Sequence, residues 1–234
     1  MLFHNDNAVH FGIGSLRWHA AKMIRDTILV RSAGDGQLET IQKMKIGFWP
    51  FVRRFEHAID AHVMPRKPLV DRFGRAKVLE VFTGLVQEVR EMKEEEGSHA
   101  AHWVKDACGV GLGELGDRIV PEVQNLIDMV FTNDHSAFFA MLAGTEYAAE
   151  ELSRFLLEAP SFLAKFDRKR WVWGEIHLAP HGDKPSHLEI DLDLARAYAP
   201  ITTGRVIRQK VIETIYQFGK AADDIYHSLG EVHV

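Results

Sequence analysis

Within ten residues, Glu94-Glu95-Glu96-Gly97-Ser98-His99-Ala100-Ala101-His102-Trp103, the chain gathers three carboxylates and two imidazoles. Glu95, His99, His102 and Asp106 follow one another at steps of four, three and four residues. On an α-helix these steps place all four on one stripe, because seven residues fall within about 20° of two full turns. Carboxylates and imidazoles held together on one stripe can form the wall of a polar site inside a helical protein and ligate a cation such as iron or manganese. The competing reading is the wet face of a surface helix, where charged side chains ordinarily lie.

Two further clusters bear on that choice. In Ala143-Gly144-Thr145-Glu146-Tyr147-Ala148-Ala149-Glu150-Glu151, Glu146 and Glu150 share a helix face beside small residues that permit close helix approach. Glu151 and Arg154 are expected to face water there. Between Trp171 and Asp191 lie His177, His181 and His187, next to Trp171 and Trp173 and among several carboxylates. The chain therefore offers oxygen and imidazole ligands on separate helical stretches. That mixture, with open positions, suits iron or manganese, and suits zinc less well without thiolates. Binding would require neutral imidazole and ionised carboxylate, which the cation itself favours. Trp103, Phe139, Tyr147 and Trp173 are candidate lining residues of an apolar substrate pocket, and Phe138 and Trp171 are further aromatic candidates. Core packing is the plainer use of all six.

The elements that would position these groups are helical. Residues 1–13 read as an arm rich in turn formers. Ser15 to Arg31 reads as one helix, and Ala33-Gly34-Asp35-Gly36 breaks the chain. From Leu38 to Val63 apolar residues recur at helical spacing, with a kink expected at Pro50. Arg75 to Val110 carries the opening motif, with Gly97 its weak point. Helices are expected over 121–131, 137–157, 168–178, 187–198 (with Ser186 as cap) and 203–229. Alternating strand patterns are almost absent, so the expected fold is all-α: one bundle domain, residues 14–234, of about seven to nine helices.

Composition narrows the function classes. The chain has 234 residues, 46% hydrophobic and 26% charged, in the range of ordinary globular proteins. A net charge of -5 and a pI near 6.2 argue against a nucleic-acid partner. A single cysteine, Cys108, fits a reducing cytoplasmic setting. No apolar run reaches membrane-spanning length, so no membrane partner is expected.

The three clusters together resemble the haem-oxygenase-like superfamily, the branch holding TenA/PqqC-like proteins and haem-oxygenase-like di-iron oxidases and oxygenases. The likeness is one of pattern, over roughly residues 45 to 229. Glu95 and His102 match the Glu-x6-His of the branch's first core helix. Glu150 matches the Glu of the small-residue helix, and the third helix should supply His-x3-Asp-x2-His. This chain departs from that last motif. In one alignment His177 leads, His181 replaces the Asp and His187 closes. In the other His187 leads, Asp191 follows and Leu194 replaces the closing His. The first keeps the twelve helical residues before Pro200. The resemblance implies a non-haem iron oxidase or oxygenase using O2 on a small organic substrate, with one or two ferrous ions per chain, or manganese. Its ligands would be Glu95, His102, Glu150, His177, His181 and His187, with Glu146, Asp191 and His99 as possible additions. Homodimers are common in the superfamily. The alternatives are a metal-independent TenA/PqqC-like enzyme of cofactor metabolism, with Cys108 the one candidate nucleophile, and a non-catalytic helical interaction protein.

Overall fold

The computed structural model describes residues 13–63, 66–179, 186–199 and 204–230. Twelve α-helices run through them: α1 (Ile13–Arg25), α2 (Ile28–Gly34), α3 (Leu38–Val52), α4 (Phe55–Val63), α5 (Lys67–Phe73), α6 (Arg75–Gly109), α7 (Pro121–Val130), α8 (His135–Leu157), α9 (Pro160–Leu163), α10 (Val172–His177), α11 (His187–Tyr198) and α12 (Gly204–Ser228). Among the described residues there is no strand. The all-α expectation holds, and the helix count exceeds seven to nine because two expected helices are divided and two short helices, α5 and α9, join the bundle.

The division points have local causes. The 15–31 stretch breaks at Thr27, whose side chain accepts from the Val30 N–H and starts a new helix. Pro50 sits in the last turn of α3, which ends two residues later at Val52, so α4 is a separate helix rather than the far side of a kink. Ahead of α10, the expected helix is replaced by a 3-10 turn, Asp167–Lys169, with Arg168 and Lys169 at φ of 56° and 54°. Gly97 leaves α6 unbroken over 35 residues, a rod of about 52 Å at 1.5 Å per residue.

The core is organised on α8. Sixteen of its residues are buried, and it packs against α1, α2, α7, α9, α10, α11 and α12. Its start is set by Asp134, whose carboxylate accepts from the Ala137 N–H. Close packing against α12 depends on Gly144: a Cβ there would lie 2.7 Å from Thr214 Cβ and 2.8 Å from the Val211 carbonyl oxygen. α6 lies along the other side of the bundle, touching α3, α4, α5 and α10.

Candidate functional site

α6 buries two members of the expected stripe, His99 and Asp106, and departs from it at His102. From Met92 to Val110 the buried positions among the described side chains are Met92, His99, Trp103, Asp106, Ala107 and Val110, so Trp103 takes the place expected for His102. His102 is half-buried and lines neither cavity described below. Glu95 stands at the open end of the stripe, where its Oε2 lies 2.9 Å from His187 Nε2 at the start of α11. His99 lies beside His177 of α10, with ring centroids 4.5 Å apart. The α11 start is held by reciprocal bonds between Ser186, the expected cap, and Glu189.

Two cavities meet at these residues. The inner one, a tight cavity of about 30 Å³, is walled by Phe48, Phe51, Phe55, Trp103, Trp173 and Phe218, with His99, Thr145, Glu146 and His177 as its polar members. The outer one, about 450 Å³, is a polar cleft lined by Arg17, Glu146, Glu150, Arg154, His177 and His187 among others. Glu146 and His177 are the two residues common to both. His177 Nδ1 lies 2.8 Å from the Trp173 carbonyl oxygen, so Nδ1 carries the proton and donates. Nε2 is then the basic nitrogen of that ring.

Of the expected pocket residues, Trp103 and Trp173 line the inner cavity, packed edge to face at 4.9 Å. Phe139 and Tyr147 are buried but line neither cavity. Phe139 belongs to a separate aromatic group with Tyr198, Phe138 and His62. In that group His62 Nδ1 lies 2.9 Å from His135 Nδ1, and burial followed by the neighbouring His135 pushes His62 down to about 4.

The expected metal ligands are distributed unevenly. Glu95 and His187 touch, and His177 lines both cavities. Glu150 lines the outer cleft, where Arg154 lies 3.3 Å and Arg17 3.7 Å from its Oε1. Asp191 is fully buried and lines neither cavity. His181 lies outside the described residues. Among the described residues no three His, Cys, Asp or Glu side chains are arranged to hold a metal ion. Five of the six residues implied by the resemblance lie among the described residues, and of these Glu95 and His187 are in contact. Glu146 and His99, the secondary candidates, are the carboxylate and imidazole that reach the inner cavity.

Three placements depart from the sequence reading or went unread in it. Glu151, expected in water, is buried and paired with Arg25 and Arg154. The aromatic wall from α3 and α4 was legible only as apolar spacing. Lys45 lies within that apolar stripe and is fully buried, 3.7 Å from Asp106 Oδ2. Cys108 is exposed and lines neither cavity.

No protein-family model matches the chain, and no curated protein matches it. Its fold is similar to the crystal structure of a TenA homolog from Pseudomonas syringae pv. tomato, with a TM-score of 0.67 over 91% of each chain at 18% identity. The chain thus has a TenA-like all-α fold, as the resemblance implied. Among the described residues no helix is long and apolar enough to cross a membrane.

Proposed function

We propose that the chain is an enzyme that binds a small organic substrate in the outer cleft, with its apolar end against the aromatic inner cavity, and transfers a proton where the two meet. The observation that carries this is the sharing of Glu146 and His177 between the apolar cavity and the polar cleft. A substrate held by the aromatic walls would meet both residues where it meets solvent. Apolar walls with a few convergent polar groups are the ordinary composition of a small-molecule site. His177, with its proton fixed on Nδ1, offers Nε2 as base, and Glu146 and His99 supply the second proton-transfer group. The fold itself is compatible with this use but does not define it.

The test is a thermal-shift and NMR screen of small apolar-bodied acids, amines and alcohols against the 234-residue chain and Ala149→Phe, which fills the inner cavity. Ligands that bind the native chain and not the filled one support the reading. With a reactive ligand in hand, Glu146→Gln and His177→Gln should each lower turnover by about 10²- to 10⁴-fold. Binding indifferent to Ala149→Phe would overturn the proposal.

A second reading, an iron or manganese oxidase using O2, is favoured by the contact of Glu95 with His187. That pair joins α6 to α11 beside His99 and His177, and carboxylate with imidazole is a donor set these ions take. Elemental analysis after anaerobic loading with ferrous iron tests it. One or two irons per chain, lost in Glu95→Ala and His187→Ala, would establish the centre, and a metal-free chain would remove it.

A further inference from the structure

We infer that Lys45 is a positioning residue for the candidate site: paired with Asp106, it fixes the start of α10 and so the placement of Trp173 and His177. The inference rests on His177 being part of that site. Lys45 has no solvent exposure, and Asp106 is 5% exposed. Their 3.7 Å separation is that of an ion pair and is longer than a hydrogen bond. The ammonium also lies over the Trp103 ring, 3.9 Å from its centroid, and 5.4 Å from that of Trp171. Indole faces are the ring surfaces that best hold a desolvated cation.

From this pair the connections run directly to the cavity wall. Trp103 donates its indole N–H to the Lys45 carbonyl oxygen at 2.8 Å. Asp106 Oδ2 accepts from the Trp173 backbone N–H at 3.0 Å, inside the first turn of α10. That carboxylate therefore caps a helix of only six residues, at the end where helix N–H groups lack partners. Four residues on, the Trp173 carbonyl accepts from His177 Nδ1. A cation on α3 thus holds the carboxylate of α6 that sets the helix carrying the basic imidazole. Replacing Lys45 with a neutral side chain leaves Asp106 buried without its counter-charge, and the arrangement that relieves it is movement toward water, away from α10.

A purely structural lysine would change stability alone, so the test reads His177 and the tryptophans directly and needs no turnover. The chain is labelled with 15N-histidine, freed of metal with EDTA and compared at pH 6 with Lys45→Met and Asp106→Asn. The His177 resonance is assigned by its loss in His177→Gln. Native His177 should be held as the Nδ1–H tautomer. Lys45→Met should lower the Nδ1–H to Nε2–H ratio by about threefold or more, and weaken the near-UV circular dichroism of the packed indoles. A folded Lys45→Met chain with a lowered Tm and the native His177 and tryptophan signals would overturn the inference. Should Lys45→Met not fold, Asp106→Asn decides, because it keeps an acceptor for Trp173 and loses the charge; native signals there also overturn it, and altered ones support it. A failed substrate screen alongside a shifted tautomer would count against the proposed function and leave the positioning role standing.

Discussion

Lys45 shows how one residue can be read twice, from its place in the sequence and from its surroundings. It stands four residues after Ile41 and three before Phe48, inside the apolar stripe of α3, and that spacing alone assigns a charged side chain to the core. Its partner was harder to find, because Asp106 follows from the α6 stripe but the pairing of α3 with α6 is a tertiary fact. Burial drives the Lys45 amine down from 10.5 to about 7, with Asp106 opposing the shift. Between those values the unfolded chain holds a proton that the folded chain has shed, so stability rises with pH across the window. Below it both states are charged and the cost of burying the cation is fully felt. Tyr147 and Tyr198, held up to about 12 by burial, act in the opposite sense only at higher pH, where the unfolded chain ionises first. Denaturant unfolding from pH 6.5 to 9.5 should therefore show a gain on the order of 2–4 kcal/mol that Lys45→Met abolishes. A native chain equally stable across that range would show that Lys45 holds its proton as firmly when folded as when unfolded.

At the scale of elements, helices were legible wherever their ends carried their own chemistry. α11 begins where Ser186 and Glu189 form a capping box and runs to Tyr198 as expected. α7 opens on Pro121, a residue suited to a first turn because its missing N–H needs no partner. Breaks inside apolar runs were not legible, since Thr27 reads as an ordinary β-branched residue until its hydroxyl is seen accepting from Val30. Gly97 misled in the other direction: a helical glycine costs about 1 kcal/mol, which a 35-residue helix packed on four others absorbs. Gly144 has the opposite importance, because it sets how closely α8 approaches α12. Gly144→Ala should destabilise the chain by about 1–3 kcal/mol, as overpacking does. Gly113→Ala, where an added Cβ meets nothing within 4 Å, should stay within about 0.5 kcal/mol. Equal effects in a urea titration would show that the α8–α12 contact is not tight.

For the whole molecule, the site joins helices of unequal anchorage. Glu146 rides on α8, buried along most of its length and touched by seven other helices, whereas His177 ends a six-residue helix whose start leans on Asp106. The sequence located both residues in separate clusters but could not show that they share one boundary, because that depends on α8, α10 and the aromatic wall of α3 meeting at one place. It singled out Glu150 and His102 ahead of Glu146 and His99 for the same reason: spacing identifies a face, while neighbouring helices decide which part of it is covered. Unequal anchorage predicts unequal opening, since amides in short, lightly packed elements exchange by local fluctuation and those of central helices only when the whole fold opens. Hydrogen exchange in the native chain should give α8 amides the free energy of global unfolding measured with denaturant. Amides at the end of α10 should exchange at least about tenfold faster than that limit allows. Asp106→Asn should speed α10 further while α8 follows only the change in global stability. If α10 proved as protected as α8 and stayed so in Asp106→Asn, the basic imidazole would stand on a rigid element, and its placement would owe nothing to the buried pair beneath it.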